Sequence, residues 1–348
     1  MRAVRILLLT ILFLSPAAGA QSWSIETTGF DTNLRSVTAT HAQDSNHASL
    51  PVIWASGSNS RLLKSTNGGA HYRRLLVNSG VGLDLRGIQA FNERVAYAMS
   101  SGEGKKSGIY KTTNGGTTWK VQFSDKRAAF FLDALVCISE DECFALSDPV
   151  DGKFLLLHTS DGDHWSELPR DNMPPALPAE GAFAASDSCL LIYDKREIYF
   201  VTGGPAARVF HSPDLGDTWT VSATPILSGS APSGAFSIAR SGSVVAVVGG
   251  DYKDVDRTER TAAYSLDQGI TWTLAAKPPG GFRSAVAFLD PNTLLAVGTS
   301  GEDISTDQGA HWTSVGELDL NALVVLDSHN AWAVGPNGTI ARWIAPAR

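Results

Sequence analysis

Cysteine is scarce, with three in 348 residues, and none belongs to a C-x-x-C pair or to a Cys/His spacing that holds zinc. A redox dithiol and a structural zinc are therefore not expected. Positive charge is in deficit: 28 Lys and Arg face 35 Asp and Glu, a formal net charge of −7. A chain that neutralises phosphates needs a basic face, so nucleic acid is not an expected partner. Bulk attraction to an anionic membrane surface is disfavoured on the same ground. Long apolar runs are missing as well. After residue 20 no stretch approaches the roughly 18 unbroken apolar residues of a membrane span. No segment carries the period of an amphipathic helix, and no G-x-G-x-x-G stands between a strand and a helix to hold a dinucleotide. No cofactor is expected.

The first twenty residues stand apart from the rest. Arg2 and Arg5 precede the apolar run Ile6 to Leu14, and Ala18-Gly19-Ala20 fits a signal-peptidase site. Residues 1–20 therefore read as a secretory signal peptide cleaved after Ala20. The mature chain, residues 21–348, is expected to be secreted or periplasmic, soluble and monomeric. Its 348 − 20 = 328 residues carry a formal charge of −9 once two arginines are gone. In an oxidising compartment Cys137 and Cys143, which flank Ile138 to Glu142, can pair across a hairpin tip. The alternative is three buried thiols, the reading preferred for Cys189.

What the chain does have is a repeat. Lys111 to Trp119, KTTNGGTTW, has the residues of a turn between two strands: Asn can bond the N–H groups of its own turn, Gly supplies a positive φ, and Trp offers a large surface to bury. Versions recur at Ser65–Tyr72, Thr159–Trp165, Ser212–Trp219, Ser265–Trp272 and Ser305–Trp312. The polar residue is Asn67, Asn114, Asp161, Asp214, Asp267 or Asp307. The closing aromatics Tyr72, Trp119, Trp165, Trp219, Trp272 and Trp312 are 47, 46, 54, 53 and 40 residues apart. Such periods in strand-rich units point to a propeller of four-stranded blades, because a lone hairpin cannot bury its apolar faces.

Seven blades of about 47 residues fill the mature length. Each opens with a short apolar strand, as at Leu34–Val37, Leu85–Ile88, Leu132–Leu135, Phe282–Ala285 and Leu320–Leu323. The last unit has three strands only, and Trp23 to Thr28 reads as its missing fourth. The expected fold is thus all-β: a seven-bladed propeller of antiparallel blades, closed by the N-terminal strand so that no sheet edge stays open. Two stretches interrupt the period, the Pro-rich 168–180 and the charged 249–261, and long loops on rigid scaffolds are where function tends to sit.

The pattern S/T-x-D/N-x-G-x-T/H-W is the Asp-box, or BNR repeat. Together with Leu85–Phe91, Ser107–Trp119 and Trp332–Ile340 it resembles the photosystem II stability/assembly factor family across essentially the whole mature chain. That resemblance implies a propeller used as a docking platform for a membrane-protein subunit, with an arginine-rich patch on one face. Arg35, Arg86 and Arg283 open the first strands of their blades here, and Asp133 and Asn321 take the same place in two others. A ring of guanidiniums suits a carboxylate or a peptide C-terminus; the competing reading ties each Arg to a carboxylate of a neighbouring blade, such as Asp133.

The expected function is non-catalytic binding, as a scaffold or assembly factor for an envelope or membrane protein. The candidate partner face comprises Arg35, Arg86, Asp133 and Arg283, flanked by Asp148, Asp151, Lys153, Asp251, Tyr252 and Lys253. Sialidases share the boxes but need an R-I-P and a Tyr–Glu pair that this chain does not offer. A glycoside hydrolase using loop carboxylates, Asp148 with Asp151 or Asp251 with Asp254, is the alternative. His41, Asp44 and His47 fall close enough to suggest a metal, but read better as a solvated loop, so no metal site is expected.

Overall fold

The computed structural model describes residues 22–41, 50–77 and 82–344. The expected signal peptide with its Ala20 boundary lies outside them, as do Asp44 and His47. Among the described residues the strands form seven antiparallel sheets, and the only helical segments are two single 3-10 turns. Each sheet is one blade. In chain order, blades 1, 2 and 3 open at Leu34, Asp84 and Leu132, blade 4 at Leu190, blade 5 at Ser230, blade 6 at Ala285 and blade 7 at Ala322.

The burial of each strand follows its place in the blade. The second strands Val52–Gly57, Ala96–Ser101 and Leu294–Gly298 are buried at every position. They are covered on both faces by neighbouring blades and read as unbroken runs of small and apolar residues. The outermost strands, such as Arg73–Leu76 and Thr220–Ala223, are largely exposed. Apolar clusters straddle the blade boundaries instead of filling single sheets. One joins Trp54 and Leu62 of blade 1 to Ile88 and Ala98 of blade 2; another joins Trp332 and Ile340 of blade 7 to Leu34 and Ile53 of blade 1. A blade is thus stable only between its neighbours.

The ring closes as the sequence implies. Ser22–Thr27 pairs antiparallel with Ile340–Ile344, placing Trp23 opposite Trp343 with ring centroids 5.3 Å apart. Blade 5 departs from the four-stranded rule. Gly203 and Gly204 add a short fifth strand against Gly234 and Ser230. Glycine permits it: a Cβ on Gly234 would fall 2.3 Å from the Gly203 Cα.

The six repeated turns share one hydrogen-bond pattern. The Ser or Thr hydroxyl accepts the glycine N–H, at 2.7–3.0 Å in Gly69, Gly116, Gly162, Gly216, Gly269 and Gly309. The Asn or Asp oxygen accepts the N–H of the residue just before the aromatic, from Asn67 (His71 N–H) to Asp307 (His311 N–H). Trp219, Trp272 and Trp312 each donate their indole N–H to the carbonyl of the turn glycine at 3.0 Å. Trp119 packs edge-on against Trp54 of the preceding blade, and Trp165 against Tyr97. The turns are therefore fasteners between blades at the outer rim.

Cys137 and Cys143 are bonded, directly opposite each other across their hairpin. Cys189 is a buried free thiol, just ahead of the first strand of blade 4. The closed loop is so short that the chain-entropy model allows only about 2 kcal/mol of stabilisation. The C137S/C143S variant is accordingly expected to lose no more than about 2 kcal/mol in urea unfolding. A larger loss would mean that the bond shapes the folded hairpin as well as restraining the unfolded chain.

Candidate binding site at the central channel

Blades 1, 2, 3 and 5 share a defect in their innermost strand. Pairing with the second strand slips by one residue between Leu34 and Ser36, Leu85 and Gly87, Leu132 and Ala134, and Ala235 and Ser237. The extra residues are Arg35, Arg86, Asp133 and Phe236. A bulge frees its extra residue from the ladder and re-aims the side chain. All four line one cavity of about 490 Å³, together with Asp148, Phe183, Tyr252, Phe282 and Asn321.

The charges in this cavity are only partly matched. Arg86 donates from Nε to Asp84 at 2.7 Å and from Nη1 to the Ala184 carbonyl at 2.9 Å. Its orientation is held from within its own strand and from the loop before blade 4. Arg35 has a buried Nε without a hydrogen-bond partner. Burial, and then the charge of Arg86, push its pKa down. Asp133 is fully buried and neither carboxyl oxygen has a hydrogen-bond partner. The nearby Asp148 N–H is already donated to the Phe131 carbonyl at 3.0 Å. Burial first, and the neighbouring Asp148 second, raise the Asp133 carboxyl well above the usual carboxylate range. Asp148 is pushed up to about 6 by burial, against the opposing Ala182 N–H at 2.9 Å. Phe183 stacks on Phe236 with centroids 3.8 Å apart, and Tyr252 meets both edge-on.

The channel is crossed by a short plug, Ser186-Asp187-Ser188. Asp187 Oδ1 accepts the Leu135 N–H of blade 3 at 2.7 Å. Its Oδ2 accepts the Ser36 hydroxyl of blade 1 at 3.1 Å and the Ile88 N–H of blade 2 at 3.2 Å. Ser188 donates to Ser237 of blade 5, and Ser186 to the Ser284 carbonyl at the start of blade 6. Asn321 completes the belt from blade 7 to blade 1, donating to Asn33 Oδ1 and the Leu34 carbonyl at 2.7 Å each.

No family model matches this chain, and no curated protein matches it in sequence. Solved structures do match in shape. A structure described as YCF48 bound to D1 peptide superposes with TM-score 0.66 at 13% identity, over 95% of this chain and 99% of that one. YCF48 from Cyanidioschyzon merolae gives 0.65 at 13% identity, over 93% and 99%. The computationally designed Ika8 protein gives 0.52 at 12% identity, over 91% and 98%. The likeness is one of fold.

The residues singled out from the sequence divide in two. Arg35, Arg86, Asp133, Asp148 and Tyr252 meet in the cavity. Arg283 does not. It is 1% exposed and ion-paired with Asp303 at 2.5 Å, and also donates to the Phe282 carbonyl and Ser300. No bulge re-aims it, so it faces the third strand of its own blade. Nor do the arginines tie blades through Asp133, which accepts from none of them. Lys153 also points elsewhere, donating to the Arg170 and Asp171 carbonyls of the Pro-rich loop at 2.7 and 3.0 Å. Asp151 sits in a tight turn with φ of 56°. Asp251 caps the Lys253 N–H at 2.9 Å, leaving the Lys253 side chain exposed beside the cavity's Tyr252. The plug was not foreseen. Its only trace in the sequence is a Ser-Asp-Ser where blades 1, 2 and 3 carry Leu-Arg or Leu-Asp.

The raised carboxyls give stability a pH dependence of definite sign. Asp187 is pushed up to about 7, because burial outweighs its hydrogen bonds to Leu135, Ser36 and Ile88. Between pH 4 and 7 the folded state then holds protons that the unfolded chain has released, so stability falls as pH rises. Asp133 and Asp148 act in the same direction. The Asp133→Asn variant removes one such penalty and is expected to melt higher than the wild type at pH 7.5, with the gap closing by pH 4. An equal gap at both pH values would mean that the Asp133 carboxyl does not titrate in this window.

Proposed function

We propose that this is an exported seven-bladed propeller that acts by binding a protein, as a scaffold or assembly factor for an envelope or membrane protein. The observation that carries the reading is the cavity at the channel, where bulges bring Arg35 and Arg86 together from two adjacent blades. Arg35 has an unmatched guanidinium nitrogen. Two guanidiniums in one concave site suit a carboxylate, such as a peptide C-terminus. The fold likeness to YCF48, a photosystem II assembly factor seen in one structure with D1 peptide bound, supports a peptide as occupant. The signal-like leader supports export. Asp251, Tyr252 and Lys253 stand beside the cavity as the flanking part of the partner face.

The test is a peptide array in which each sequence is shown once with a free C-terminal carboxylate and once as the amide. Capture is expected to favour the carboxylates and to fall at least tenfold in the Arg35→Glu variant. Melting should fall little, because Arg35 makes no ion pair among the described residues and feels Asp84 and Asp319 only at longer range. Melting that falls in step with capture would show that Arg35 holds blades together.

A second reading, glycoside hydrolysis, draws on the two carboxyls of Asp133 and Asp148 in an aromatic-lined cavity. Such catalysis needs one carboxylate ionised while the other is protonated. Here both are raised, Asp133 the more strongly, but the unmatched guanidinium of Arg35 on the same cavity wall is a group that such catalysis does not use. Binding is the better-supported use of this site. Turnover of a glycoside panel, lost in Asp148→Asn, would reverse that preference.

A further inference from the structure

The acidic side of the same cavity has no role in carboxylate capture. Asp133 is a fully buried carboxyl without a hydrogen-bond partner, on a bulge that turns it into the cavity. Arg86, the cation whose charge is felt by Asp133, donates Nε to Asp84 and Nη1 to the Ala184 carbonyl and gives Asp133 no hydrogen bond. A buried polar group left unmatched is uncommon in folded proteins and calls for an explanation. Asp148, half-buried, stands next to it. Asp148 is in turn fastened to the Ala182 N–H, one residue before Phe183, so the acidic pair runs directly into the stacked Phe183 and Phe236. Tyr252, 47% exposed, borders the same aromatic wall.

We propose that this side of the cavity receives the basic side chain of a bound peptide, its ammonium or guanidinium held by Asp133 and Asp148 against the faces of Phe183 and Phe236. Carboxylate plus aromatic face is the chemistry that selects an organic cation. A divalent metal fits poorly. Calcium and magnesium take six or more oxygen ligands, and no group of three ligating side chains occurs among the described residues. A cation at this place would match the Asp133 oxygens and hold both carboxyls ionised, so binding releases protons. The other charged and titratable groups around the pair are Arg86, with Arg35, Asp84 and Asp319 beside it, and the buried Cys189, on which Asp133, Asp148 and Asp187 all act. The two arginines oppose a cation. The cavity therefore favours a ligand whose own carboxylate occupies Arg35 and Arg86 while its cation occupies the acids.

The proposal takes the cavity as the binding face but does not depend on a carboxylate being bound there. Calorimetric titration uses two monocations without a carboxylate, N-acetyl-arginine N-methylamide and N-acetyl-lysine N-methylamide, and the neutral citrulline analogue. At least one monocation is expected to bind at least tenfold more tightly than the citrulline compound. Its affinity should rise from pH 5.5 to 7.5, with proton release on binding. Asp133→Asn should weaken it at least tenfold while melting no lower than the wild type. Phe183→Leu should weaken it several-fold. Arg35→Glu should leave it unchanged or tighten it, although the same variant loses carboxylate capture, so the two readings fail separately. Equal binding of the citrulline compound, or Asp133→Asn binding as the wild type does, overturns the proposal. The latter would leave a trapped water as the partner of Asp133.

Discussion

Replacing Arg283 with methionine is expected to lower stability by roughly 3–5 kcal/mol, the usual result of stranding one half of a buried ion pair. Arg283 and Asp303 are 1% and 2% exposed, and their charges meet at 2.5 Å. Without the guanidinium, Asp303 keeps only the Gly280 N–H, at 3.3 Å from each oxygen. Adjacent Glu302, itself buried and pushed up to about 7, cannot share a second negative charge cheaply. The R283M/D303N double variant should recover most of the loss, because no uncompensated charge is then left inside. Urea unfolding of the two singles and the double gives the coupling directly. A single-variant loss below about 1 kcal/mol would show that the pair is effectively solvated. Carboxylate capture, corrected for folded fraction, should be untouched in R283M, in contrast to Arg35→Glu.

Asp187→Asn is the second large effect, at roughly 2–4 kcal/mol destabilising. The carboxyl serves donors from blades 1, 2 and 3 with its two oxygens. An amide offers one oxygen and turns an NH2 toward N–H groups that already donate, so one or two buried donors lose their partner. Asn tolerates the φ of 64° at this position, so the loss reports hydrogen bonds and not backbone strain. The approach is close. A Cβ on Gly87 would sit 2.9 Å from Asp187 Oδ1, and Gly87→Ala should lower stability through the same contact. Thermal melts at pH 5 and pH 7.5 separate the causes, since the wild type loses stability across this window through the raised carboxyl and the Asn variant should lose less. A melting curve for Asp187→Asn that overlays the wild type at both pH values would remove the plug from any structural role.

The architecture was legible because it is periodic. Each repeated turn announces itself by a hydroxyl, an Asn or Asp, a Gly and an aromatic at set offsets, and the offsets are what one local hydrogen-bond pattern needs. The ring closure could be read for a similar reason: Trp23-Ser24-Ile25 has the pattern of an outer strand and the last blade lacked one. The candidate site was half legible. Arg35, Arg86 and Asp133 stand out as charges at the start of apolar strands, and their common bulge brings them together. Arg283 has the same sequence context and a different fate. Nothing local distinguishes it; its direction depends on Asp303, twenty residues away on another strand.

By itself the sequence determined the strand order, the number of blades and the joining of the two ends, since these follow from turn chemistry and apolar spacing within short segments. It also set Cys137 and Cys143 at the two ends of one tight hairpin tip, where they could pair. Only the tertiary structure decided which charged side chains look into the channel and which are matched within a blade. It alone placed Asp187 among three blades, and left Asp133 and Arg35 unmatched in one cavity. The physical reason is range. A turn is held by bonds between residues two to four apart, whereas the electrostatics of the channel are set by groups that meet only after the ring has closed.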